Sequence, residues 1–178
     1  VYKRSLCLDA ISYNADGSIQ QTTPTTDGLT QLKNLDPYQR VEAETIAQSA
    51  GIQTEVCSEG GLNVTSITNG SWIRIRGVNF GAGAAAFYAR VASAASGGNI
   101  ELRLDSTNGT LVGTCAVPVT GGAQAWTTVS ASVSGATGVH DLYLKFTGGA
   151  GNLFNVNWWQ FQFGAGAGSS TPLGFEAE

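Results

Sequence analysis

Charged side chains are scarce in this sequence: Asp, Glu, Lys and Arg make up 12% of its 178 residues, and the nine basic ones are scattered along the chain. With a net charge of −4 and a pI near 4.9, it lacks the clustered basic footprint that neutralises phosphates, so nucleic acid is not an expected partner. No apolar run approaches the ~18 residues of a membrane span. Residues 1–4 lead into a strand pattern rather than a leader peptide, so neither a membrane span nor a targeting segment is expected, and the chain reads as an excised piece. Histidine occurs once, as His140 within a strand-like run, where an edge or interface residue is the simpler reading than a catalytic base. Three cysteines, Cys7, Cys57 and Cys115, show no C-x-x-C spacing, which weakens zinc and thioredoxin-type readings. At most one disulfide can close within the chain; in an oxidising compartment the preferred pair is Cys57 with Cys115, because both fall inside one predicted domain.

What is abundant is glycine, at 24 positions, together with Ser, Thr and Asn, the composition of many short strands joined by small-residue turns. Residues 7–13 alternate, 14–17 supply turn chemistry and 18–23 can return, which predicts an N-terminal β-hairpin. A lone hairpin is marginal in water, so this one is expected to be the remnant of a larger domain or to pack on the next. The segment 22–37, with Pro24, Gly28 and Pro37, reads as a connection, and the domain boundary is placed near Asp36.

Alternating runs then recur at 41–44, 62–67, 72–76, 85–92, 100–104, 111–117, 126–133, 142–146 and 154–163. In Trp72-Ile73-Arg74-Ile75-Arg76 the isoleucines share one face and Trp72, Arg74 and Arg76 the other. About nine half-buried strands with glycine turns predict an all-β chain: a two-sheet β-sandwich, with a jelly roll as the leading arrangement, over residues 37–164. Residues 165–178 begin as a Gly/Ala/Ser linker, and Phe175-Glu176-Ala177-Glu178 echoes Val41-Glu42-Ala43-Glu44, the expected start of a following module.

Three stretches together resemble the family 6 carbohydrate-binding modules: RVEAET at 40–45, EGGLNVTSITNGSWIRI at 59–75 and NLFNVNWWQFQF at 152–163. ARVAS, IELRLDS, VPVTGG and GVHDLYLKF lie between them in the family's order. The resemblance spans roughly residues 38–163. It implies a secreted, monomeric β-jelly roll that binds xylan, arabinoxylan or related plant cell-wall β-glycans and carries a structural calcium ion. The stretch KRSLCLDAISYNADGSIQQTTPT, from Lys3, looks like the end of the catalytic propeller of family 43 glycoside hydrolases. That implies an attached arabinofuranosidase- or xylosidase-type domain whose catalytic carboxylates lie upstream, and a fragment that is itself silent.

Glu42 and Glu44 stand two apart on a predicted strand, so both carboxylates point to one side, where like charges are costly unless a cation or basic group neutralises them. A hard cation with oxygen ligands fits, and the alternative is a solvated strand face. The resemblance places calcium at Glu42, Glu44 and Asn157, helped by a backbone carbonyl around Ser58 to Gly60; many relatives carry Asp where this chain has Asn157. An acid/base pair of a glycosidase is disfavoured, because such carboxylates flank a sugar at roughly 5–9.5 Å, whereas this pair approaches from one side.

For sugar, the resemblance implies an edge cleft in which an aromatic near Leu62 and a tryptophan in a T-G-G-W turn sandwich a ring, with an asparagine before the last strand. Asn155 fits that asparagine, and Phe154 beside it offers a candidate surface. The turn here reads Thr120-Gly121-Gly122-Ala123, and Leu62 offers no flat ring either. A second family site, on the concave sheet face, has candidates in Trp72, Arg74, Arg76, Tyr88 and Arg90. Trp126, Trp159, Phe161 and Phe163 read as core. Two functions stay open: retention of a hydrolase on xylan-type polymer, or a spacer packed on the catalytic domain that has lost glycan binding.

Overall fold

The computed structural model describes residues 9–23 and 32–164, and these divide into two compact units between Lys33 and Asn34. In the first unit the tip of the predicted hairpin is formed among the described residues. Tyr13 bridges Ile19, the Asn14 N–H donates to the Ser18 carbonyl at 2.8 Å, and Gly17 takes the turn's positive φ of 84°. The Asp16 carboxylate accepts from the Ser18 N–H and hydroxyl, bonds that hold its pKa below the usual carboxylate value. Cys7 and the 165–178 linker with its echo motif lie outside the described residues.

The second unit contains eleven strands and no helix among the described residues. They are β1 (Val41–Glu42), β2 (Gln48–Ala50), β3 (Gln53–Val56), β4 (Leu62–Thr65), β5 (Trp72–Gly81), β6 (Ala84–Ala92), β7 (Gly98–Leu104), β8 (Leu111–Val117), β9 (Thr127–Ser132), β10 (Gly138–Thr147) and β11 (Asn155–Phe163). One sheet runs β3-β4-β11-β6-β9, with β1 also paired to β11; the other runs β2-β5-β10-β7-β8. Every pairing between the named strands is antiparallel, and from β4 onward the chain crosses between sheets at nearly every turn, giving the predicted sandwich. Neither β2 nor β3 is legible in the sequence, because both are short, mostly exposed edge strands without apolar alternation.

Between the sheets, Ile73 and Ile75 of β5, Leu142, Leu144 and Phe146 of β10 and Leu102 of β7 meet Phe87 of β6 and Trp159 and Phe161 of β11. Phe161 sits edge-on to Phe80, Phe87 and Trp159 at centroid distances of 5.1, 5.0 and 5.8 Å, the arrangement that ring quadrupoles prefer. Each such fully buried side chain contributes about 1.5–3 kcal/mol through lost apolar hydration.

Several expectations are corrected. Cys57 and Cys115 are both buried and unbonded; Cys115 sits on β8 inside the core, where burial pushes its thiol pKa up to about 11. Phe163 is 38% exposed and stacks on Tyr38 rather than entering the core. Trp126 is only partly buried, its ring N–H donating to the Ser58 hydroxyl at 3.0 Å. Trp159 and Phe161 are core residues as expected.

Candidate functional site

On β11 the side chains alternate: Trp159 and Phe161 enter the core, so Trp158, Gln160 and Gln162 stand on the outer face of the sheet. Register then builds a surface around them. Glu42 of β1, Trp158 of β11, Arg90 of β6 and Thr128 of β9 form one row, and Gln160, Tyr88 and Ser130 form the next. Tyr38 and Phe163, stacked at 3.4 Å between centroids, wall one side. The result is an open groove of about 520 Å³ whose lining includes Tyr38, Tyr88, Trp158, Gln160, Gln162 and Phe163. Its amides are oriented: the Tyr88 hydroxyl donates to Gln162 Oε1 at 2.9 Å, and Gln160 Nε2 donates to the Tyr38 carbonyl at 2.7 Å. Flat rings beside fixed amides can stack on the apolar face of a sugar and hydrogen-bond its hydroxyls.

The concave-face candidates do not form one site. Tyr88 and Arg90 lie on this face, but Trp72, Arg74 and Arg76 belong to β5 and stand on the outer face of the opposite sheet. There Trp72 meets Tyr143 at 5.6 Å, and Arg74 is held by Asp141 at 2.6 Å and Gln48 at 2.8 Å. Burial alone would push the Asp141 carboxyl pKa up, yet the Gly77 N–H and the Arg74 guanidinium outweigh it and hold it below the usual carboxylate value. His140, on β10, places Nδ1 2.8 Å from Asp105. Sequence reasoning missed Tyr38, Trp158, Gln160 and Gln162. The alternation of residues 158–162 carried the signal, but which half of it faces the core is set by the second sheet.

At the end of the sandwich a second cavity, of about 410 Å³, is lined by Glu55, Ser66, Ala123, Phe154 and Asn155 among others. Asn155 Nδ2 donates both to Glu55 Oε1 at 2.9 Å and to the Ala123 carbonyl at 2.8 Å, and Gln124 Nε2 also donates to Glu55 Oε1. No exposed aromatic ring lines it. Phe154 is 3% exposed and packs edge-on against Phe146, so it offers no stacking surface, contrary to expectation. Leu62 is exposed on β4 and is not part of the lining.

The expected cation residues meet where β1 leaves β11. β1 ends at Glu42, so Glu44 lies in the following turn and not on the same strand as predicted. The Ala43 N–H donates to the Asn157 carbonyl at 2.9 Å, which places Glu42 and Glu44 on either side of that attachment. Asn157 is the extra residue of a bulge: Val156 opposes Val91 and Trp158 opposes the next residue, Arg90. Its amide is oriented by Glu59, which accepts from Nδ2 at 3.1 Å, leaving Oδ1 buried without a partner. Glu44 Oε2 is buried and unpartnered as well. Arg90 holds Glu59 by a forked contact and keeps its carboxyl pKa below the usual value, while Gly60, at φ 98°, closes the adjoining turn onto the Cys57 carbonyl. No group of three or more His, Cys, Asp or Glu is near enough to hold a metal among the described residues, so any cation here would also need amide and backbone oxygens.

A family model described as carbohydrate binding module (family 6) matches residues 42–163. The chain is 52% identical over 165 residues, 89% of its length, to an arabinoxylan arabinofuranohydrolase of Bacillus subtilis, and it spans about a third (32%) of that relative. A crystal structure of the glycoside hydrolase family 43 arabinoxylan arabinofuranohydrolase from Bacillus subtilis, in complex with cellotetraose, covers 87% of this chain with a TM-score of 0.79 at 52% identity, and the match takes up 33% of that structure's chain. A family 6 module from Clostridium cellulolyticum in complex with xylose is 53% identical, with a TM-score of 0.71, covering 72% of this chain and 99% of the other.

Proposed function

The chain belongs to the family 6 carbohydrate-binding modules, a non-catalytic class, and from that premise we propose that it acts outside the cell as a monomer, retaining an attached family 43 hydrolase on xylan or arabinoxylan. The observation that carries the reading is the groove over Tyr88, Trp158, Gln160 and Gln162, which pairs flat rings with oriented amides on an open sheet face. The cavity at the end of the sandwich holds no exposed ring and is the weaker candidate. Support for a xylan-type ligand comes from the relatives: one acts on arabinoxylan, and a similar module was solved with xylose. Binding of this kind makes no bond; it raises the local concentration of polymer at the hydrolase.

In affinity electrophoresis through soluble arabinoxylan with calcium present, the unmodified chain is expected to be retarded, and Ala123→Trp is not needed for retardation. If no xylan-type polymer retards it, the reading fails, and the ring-poor end cavity then favours a spacer that packs on the catalytic domain.

The same proposal includes a structural calcium ion held by Glu42, Glu44 and Asn157, with a backbone carbonyl near Gly60. The buried, unpartnered oxygens of Glu44 and Asn157 support the fit, since such atoms are costly unless something binds them. The ion would tie the β1 turn to β11 by neutralising adjacent carboxylates. A ligand present at about 100 times its Kd stabilises by roughly 2.7 kcal/mol. Chelation is therefore expected to lower the thermal midpoint by about 5–10 °C, with recovery on adding calcium back. A midpoint indifferent to chelator removes the ion from the account.

A further inference from the structure

We propose that Arg40 covers the Trp158 face of the groove and that the cation uncovers it. Arg40 grips Glu42 in a forked ion pair, with Nε 2.9 Å from Oε1 and Nη2 3.1 Å from Oε2. The same guanidinium lies over the Trp158 ring, 5.4 Å from its centroid. Glu42 pairs with Trp158 across β1 and β11 and directly precedes the Ala43–Asn157 attachment, so the residue that anchors Arg40 over the ring flanks the segment that carries the unpartnered oxygens of Glu44 and Asn157. One side chain thus belongs to both the ion site and the groove, and Arg40 responds to its choice.

The competition is uneven. The Arg40 and Glu42 side chains are 52% and 46% exposed, and an exposed pair of this kind shifts an equilibrium by only about two- to fivefold. A divalent cation demands six to eight oxygens and can bring Glu42 onto itself together with oxygens that have no other partner. Once Glu42 serves the ion, Arg40 loses its anchor, and the Trp158 face becomes free for a sugar. Linkage requires the converse: glycan bound on Trp158 tightens the ion by the same factor, about two- to fivefold.

This inference rests on the glycan reading above, but its test separates the two. Acrylamide quenching of the chain's fluorescence, taken as the difference between wild type and Trp158→Phe, reports access to Trp158 without any sugar. Calcium is expected to raise that access in the wild type. In Arg40→Ala, access is already high without calcium, calcium binds about two- to fivefold more tightly by calorimetry, and retardation in arabinoxylan no longer responds to the ion. Arg40 is exposed and Trp158 half-buried on the outer face of the sheet, so neither substitution threatens folding. Failure of the chain to bind calcium, or calcium binding that leaves Trp158 access unchanged, overturns the proposal. An intact quenching response with no retardation in any xylan-type polymer supports the gate and sinks the glycan reading alone.

Discussion

Replacing Trp158 with alanine is expected to abolish retention in arabinoxylan while moving the thermal midpoint little. Trp158 stands on the outer face of β11 at the centre of a row running from Glu42 to Thr128, and it supplies the broadest flat surface of the groove. A stacked ring of this kind behaves as an anchor whose truncation costs about 2 kcal/mol or more, roughly a thirtyfold loss of affinity, enough to erase weak glycan binding. Trp72→Ala supplies the control, because Trp72 faces away on the opposite sheet and its loss is expected to leave retention unchanged. Retention that survives Trp158→Ala would move the binding site to the end cavity around Asn155 and Glu55.

The neighbouring residue gives the opposite phenotype. Trp159→Ala is expected to destabilise the sandwich by about 3–5 kcal/mol, measured by denaturant unfolding, because it leaves a large cavity in a close-packed core. Trp159 is fully buried and edges against Phe161 at 5.8 Å. Its ring N–H is buried without a hydrogen-bond partner, so Trp159→Phe removes volume but no hydrogen bond and relieves an unsatisfied donor. That milder change is expected to cost less than about 2 kcal/mol, well short of the alanine variant. Equal losses for the two substitutions would mean that the N–H is satisfied in solution. Adjacent tryptophans are thus expected to separate into one needed for retention and one needed for the fold.

The strongly alternating strands, from 72–76 through 154–163, were legible because a half-buried strand writes its two faces into the sequence at period two. The short strands β2 and β3 were not, because they lie at sheet edges with little apolar surface to repeat. The same limit governs the site. Alternation assigns Trp72 with Arg74, and Tyr88 with Arg90, each to an outer face, but it cannot say that β5 and β6 lie in different sheets. Phe154 misled for a related reason: it precedes β11 beside Asn155, yet packing against Phe146 draws it inward.

By itself, then, the sequence determined the all-β architecture, the family, and which side chains within each strand oppose one another. These are properties of local periodicity and short motifs. Tertiary structure alone decided which faces look outward together. It joined Tyr38, Tyr88 and Trp158 across more than a hundred positions of chain, re-aimed Asn157 through a bulge, and set Arg40 between a carboxylate and a ring. The physical reason is that strand order and register arise from burying two apolar faces against each other, a long-range condition that no local pattern encodes.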